Sequence, residues 1–200
     1  MIWALVPTKS FSRAKTRLTG VLNAPERAKL AEALFRRTVE QLRAQPIVDG
    51  VVVTTECPVV SSAAKRLGCN IVCNREPHPI LGDIIDQGIR ELPAQSSVIV
   101  LMSDLPRLGA NDLAVLTAEL NNADVTLCPD RTRDGTNVLG LRAGVRFPTR
   151  FGNRRSFALH QHATRRLGLQ VRELLRPGLA FDLDGPADWQ ELSRDRPSWL

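Results

Sequence analysis

Apolar and polar positions along the chain keep two rhythms, one of strand length and one of helical spacing. Residues 2–6 form an apolar run, and residues 51–55, 98–102, 125–128 and 138–141 repeat it. Shorter apolar stretches predict further strands at 71–73, 170–174 and 179–183. Between these runs the apolar residues recur every three or four positions. Over residues 25–43, Ala31, Leu34, Phe35, Thr38 and Leu42 fall on one helical face, with Asn23 as a start signal. Further helices are predicted over 59–67, stopped by Gly68, and over 82–92, 111–120, 157–167 and 186–192. Strand and helix in alternation predict an α/β fold. Neither an internal repeat nor a dividing linker is visible, so residues 1–193 read as a single domain and 194–200 as a loosely held tail where Trp199 can dock. Residues 74–79 and 142–155 are the longest irregular segments, and long loops in a compact domain often carry function.

Composition narrows the class. The chain has 200 residues, 43% hydrophobic and 24% charged, enough for one proper core. No apolar run nears the roughly 20 residues that cross a bilayer. The first apolar stretch is followed by its positive charges, the wrong order for a secretory signal, so a cytoplasmic protein is expected. The net charge of +6 favours anionic partners without choosing among them. Cys57, Cys69, Cys73 and Cys128 lack a usual zinc spacing and read as reduced thiols. His160 and His162 point to different faces of their helix, which argues against a shared metal.

Candidate chemistry sits where strands end. After Val6 the loop carries Lys9, Arg13, Lys15 and Arg17 with no acid among them, and it holds two of the chain's four lysines. A cationic loop beyond a strand end suits phosphates; a solvated basic turn is the plain alternative. The buried run 98–102 leads to Asp104, a carboxylate placed to bind Mg²⁺ or to serve a turn before Pro106. Asp182 and Asp184, two apart in an extended chain, project to one side and repel unless a cation lies between them. Asp184 could equally cap the helix opened by Pro186. Two more loops hold a glycine beside polar groups: residues 130–137, with Gly135, Thr136 and Asn137, and residues 151–157, with Gly152, Arg154, Arg155 and Ser156 at a helix start.

Taken in order, the runs V-P-T-K-S-F-S-R-A-K-T-R-L, S-D-L-P, P-D-R-T-R-D-G-T-N, R-F-G-N-R-R-S-F and F-D-L-D-G-P-A-D resemble the CofC/FbiD guanylyltransferases of coenzyme F-420 biosynthesis. The resemblance extends from Trp3 to Asp188. It implies a three-layer nucleotidyltransferase-like (GT-A/Rossmann-like) α/β fold with a central mixed, mostly parallel sheet. It also implies transfer of GMP from GTP to a small phosphorylated acid (2-phospho-L-lactate, phosphoenolpyruvate or 3-phospho-D-glycerate) with release of pyrophosphate. By motif, Asp104, Asp182 and Asp184 would hold Mg²⁺, while Lys9, Lys15 and Arg17 would face the triphosphate. Thr136 and Ser156 would contact the acceptor phosphate, with Arg13, Asn137 and Gly152 completing the substrate site. The chain departs from the family at Ile80-Leu81-Gly82-Asp83, where Gly-Leu-Asn is common, so the acceptor is less fixed than the reaction.

Three other readings compete. A nucleotide-sugar-dependent glycosyltransferase of similar fold would share the aspartates and the basic loop. Nucleic-acid binding would need aromatic platforms, and aromatics are 4% with no tyrosine. A purely structural role leaves the clustered loops unexplained. Neither a nucleic-acid nor a membrane partner is expected, and a homodimer is allowed.

Overall fold

The computed structural model describes residues 1–73, 80–195, 197 and 199. Strands β1 (Ile2–Pro7), β2 (Gly50–Thr54), β3 (Asn70–Val72), β4 (Ser97–Leu101), β5 (Val125–Pro129), β6 (Thr136–Leu141) and β7 (Val171–Glu173) form one seven-stranded sheet. Their order is β3-β2-β1-β4-β6-β5-β7. β6 runs antiparallel to both β4 and β5, and the other pairings are parallel. The mixed, mostly parallel sheet is the one expected.

Both faces of the sheet are covered, which is why its central strands are apolar throughout instead of alternating. Ala4, Val6, Val53, Ile99 and Leu101 face one side, where they pack with Phe35 and Val39 of α1 (Ala24–Arg43), Val60 of α2 (Pro58–Arg66) and Leu113 of α4 (Ala110–Glu119). Leu5, Val52, Val98, Val100 and Leu139 face the other, against Ile85 and Ile89 of α3 (Leu81–Arg90) and Phe157 of α5 (Ser156–Arg166). Fully burying each such side chain contributes roughly 1.5–3 kcal/mol.

Helix α1 starts as its sequence predicts. The Asn23 side chain accepts from the Glu26 N–H at 3.0 Å, and Glu26 accepts from the Asn23 N–H at 2.7 Å, a reciprocal cap that satisfies two otherwise orphan donors. No helix among the described residues is long and apolar enough to cross a membrane. The irregular segment expected at 74–79 lies outside the described residues.

One expected strand is absent. Residues 179–183 do not pair in the sheet; Pro177–Ala180 is instead a one-turn helix, α6, followed by an extended segment that leads to α7 (Pro186–Asp195). Pro177 opens the turn, and the Phe181 N–H closes it on the Pro177 carbonyl. The Asn137 amide then donates to the carbonyls of Leu179 and Ala180 at 3.0 and 3.2 Å, bonds a strand would have needed for its ladder. A third cluster holds the segment in place: Phe181 and Leu183 pack with Leu18, Leu30, Leu34 and Leu192, and Trp199 joins them.

Candidate active site

Parallel neighbours β1 and β4 end at the same edge of the sheet, and antiparallel β6 begins there. That edge gathers the cationic loop after β1, Asp104 after β4, and Thr136 at the start of β6. Beyond strand ends of this kind, open α/β sheets bind their ligands. The extended segment after α6 joins them, because the Leu183 N–H donates to the Asp104 carbonyl at 3.0 Å. Asp182, between the buried Phe181 and Leu183, and Asp184 just beyond them are half-buried.

Lys15 is the hub. Its backbone lies in the left-handed region (φ 55°), a costly choice for a side chain with a Cβ, which tips the stem inward. Nζ donates to Asp104 Oδ2 at 2.9 Å and to the Leu183 carbonyl at 2.7 Å, and lies 3.8 Å from Asp184 Oδ1. The Lys15 side chain is 9% exposed, against 30% for Asp104 and 47% for Asp184. Arg17 donates to Asp184 Oδ2 at 3.0 Å from an open position. Lys9, Arg13, Lys15, Arg17, Asp104 and Asp184 line a cavity of about 360 Å³.

Asp182 carries the clearest electrostatic imbalance. Burial pushes its carboxyl up to about 6, with the charges of Asp104 and Asp184 adding to the rise; a hydrogen bond from its own N–H opposes it. Asp184 is also raised, by burial and then by Asp104, against the pull of Lys15 and Arg17. Among the described residues no three acidic, histidine or cysteine side chains form a ready metal cluster. The cation between Asp104 and Asp184 is the Lys15 ammonium. The donor chemistry nevertheless suits a hard divalent ion: three carboxylates lie on one edge, two of them already flanking a cation and the third raised by burial and by its acidic neighbours.

The segment is braced from outside. Asp188 Oδ2 accepts from the N–H groups of Asp184 and Gly185 at 3.0 and 2.7 Å. Asp188, not Asp184, therefore caps α7, which leaves the Asp184 carboxylate free for the two cations. The other Asp188 oxygen pairs with Arg131. Arg131 and Arg107 lie 4.3 and 4.1 Å from the centroid of the Phe181 ring, and both pair with Glu191. The sequence reading missed this brace. Its one legible sign was an acid three residues after Gly185, the spacing of a reciprocal cap.

The polar loops divide. Asp130 accepts from the N–H groups of Asp134 and Gly135, and a Cβ at Gly135 would lie 2.6 Å from its Oδ2, so a side chain there would displace the carboxylate that holds this turn. Thr136 and Ser156 come together, with Ser156 Oγ donating to Thr136 Oγ1 at 3.3 Å. Ser156 is the first residue of α5 and does not cap it; Arg155 takes the cap position. Gly152 adopts φ 85°, needs its missing side chain there, and borders a second cavity of about 650 Å³ shared with Arg150 and His162. Asn137, an expected substrate contact, spends its amide N–H groups on α6. His160 contacts Thr136, a partnership the sequence reading did not find.

Comparison with known proteins places the chain in a family. The family model for guanylyl transferases described as CofC-like matches residues 2–193. A phosphoenolpyruvate guanylyltransferase of Sphaerobacter thermophilus is 34% identical over 198 residues, covering 97% of this chain and 93% of that protein. A 3-phospho-D-glycerate guanylyltransferase of Phenylobacterium zucineum is 31% identical over 200 residues, covering 97% and 90%. In solved structures the fold recurs in a nucleotidyl transferase from Methanothermobacter thermautotroptrophicus, with a TM-score of 0.69 and 17% identity over 98% of this chain and 97% of that one. The chain belongs to the CofC-like guanylyl transferase family.

Proposed function

We propose that the protein transfers GMP from GTP to the phosphate of a small phosphorylated carboxylic acid and releases pyrophosphate, within coenzyme F-420 biosynthesis. The acceptor classes are phosphoenolpyruvate and 3-phospho-D-glycerate, named for the relatives, and 2-phospho-L-lactate, implied by the sequence motifs. Both substrates are metabolites of the cell interior, so the proposal puts the enzyme in the cytoplasm. One observation carries the reading: a buried lysine between two carboxylates at the mouth of a cavity lined by three further cations.

A phosphate oxygen of the acceptor attacks the α-phosphorus of GTP. The bond to the β-phosphate breaks, and pyrophosphate leaves with the electron pair. A phosphate monoester has its second pKa near ~6, so the nucleophile is already a dianion at neutral pH and needs no general base. The obstacle is repulsion between two anions. Lys9, Arg13, Lys15 and Arg17 offset it around the triphosphate and the departing pyrophosphate. Asp104, Asp182 and Asp184 would hold Mg²⁺, which when bound neutralises phosphate charge. Thr136 orients the acceptor, with the Ser156 hydroxyl at the start of α5 bonded to Thr136.

The test is pyrophosphate release with each of the four nucleoside triphosphates against a panel of three-carbon phospho-acids. GTP with one or more of the three acids is the expected pair. Turnover of a sugar nucleotide without pyrophosphate release would point to a glycosyltransferase instead.

A further inference from the structure

His160 on α5 is fully buried (0% exposed), and both of its ring nitrogens are engaged. Nε2 lies 2.9 Å from the backbone N–H of Arg150. A backbone amide only donates, so Nε2 is the bare nitrogen and the ring proton sits on Nδ1. Nδ1 is 3.0 Å from Thr136 Oγ1, to which it therefore donates. Burial first, and the Arg150 charge second, hold the ring's pKa down to about 4, so the imidazole is neutral in ordinary conditions. The Phe151 ring packs edge-on at 4.8 Å between centroids and fixes the plane.

Thr136 receives a second bond, from Ser156 Oγ at 3.3 Å. A hydroxyl has two acceptor lone pairs and one proton. With both lone pairs taken by His160 and Ser156, the Thr136 hydroxyl can offer only its proton. We infer that His160 is a positioning residue that sets Thr136 as an obligate hydrogen-bond donor toward an anionic oxygen of the acceptor acid. This role rests on the proposed placement of the acceptor phosphate at Thr136; Ser156, whose one proton goes to Thr136, holds that hydroxyl from behind. Without the imidazole, the Thr136 hydroxyl could turn its proton into the protein, and the site would lose a donor.

The test pairs kinetics with spectroscopy. His160→Leu should raise the acceptor KM by about tenfold, the loss of one charge-assisted bond, with the GTP KM within twofold. His160→Asn, whose amide nitrogen can stand where Nδ1 stood, should recover most of it. In a Thr136→Val background, His160→Leu should change the acceptor KM by less than twofold. Nitrogen-15 NMR of the unmodified protein should show the His160 proton on Nδ1. A proton on Nε2, equal rises in both KM values, or an undiminished His160→Leu effect beside Thr136→Val would each overturn the assignment. If the unmodified enzyme turns over none of the phospho-acids, the acceptor reading itself fails, and this role falls with it.

Discussion

At the scale of single residues, Lys15 and His160 carry opposite electrostatic logic. Lys15 keeps a charge in a tight place because carboxylates surround it. Lys15→Met would leave Asp104 and Asp184 facing each other, a loss of about 1–2 kcal/mol after allowing for the partly exposed carboxylates. Thermal melts in chelator should show a drop of several degrees, and added Mg²⁺ should restore more stability to the variant than it gives the unmodified protein. His160 is kept neutral, so acid works against it. Its folded pKa of about 4 lies below its ordinary 6.5, so its contribution is complete above that ordinary value and drains away as pH falls toward 4. Between pH 7 and 5 the loss is about 2 kcal/mol. Asp182, raised to about 6, acts in the other direction, favouring the fold at low pH and ceasing to do so as pH rises through 6. Urea unfolding at both pH values, compared with His160→Asn, isolates the histidine share: the variant should lack that acid-dependent loss.

At the scale of elements, the pattern of apolar positions was a good guide to exposure and a poorer one to pairing. Helix α1 was legible because its face and its Asn23 start are both local features. In residues 179–183 the alternation was real: Phe181 and Leu183 are buried, and Asp182 and Asp184 only half so. Alternation follows from extended backbone alone, and here no neighbouring strand receives the ladder. What holds this segment is remote in sequence: the Asn137 amide, the Arg107 and Arg131 guanidinium groups on Phe181, and the Asp188 cap. Asp188→Ala should therefore loosen the Asp184 turn at a cost of about 1 kcal/mol. It should also lower kcat by about tenfold, through a carboxylate no longer held in place. Denaturant midpoints and steady-state rates check the two effects separately.

At the scale of the whole molecule, the class of fold was readable and the strand order was not. Alternating strands and helices announce an α/β sheet, but nothing local tells β6 to insert between β4 and β5 in the opposite direction. That insertion is what brings Thr136 to the edge where β1 and β4 end. The candidate aspartates and cations were legible as residue types beyond strand ends; the meeting of Asp104 and Asp184 at Lys15 depends on the left-handed Lys15 backbone and on α6, which no spacing encodes. The proposed reaction requires Asp104, Asp182 and Asp184 jointly to hold the positive charge that lets two phosphates react. Asp182→Ala is the sharpest probe, because among the described residues its carboxylate is bonded only by its own N–H. With GTP, Mg²⁺ and the best acceptor, pyrophosphate release should fall at least about a hundredfold, while the circular dichroism spectrum is kept and the chelator-treated melting temperature does not fall. A well-folded variant that transfers GMP at close to the normal rate would contradict the account.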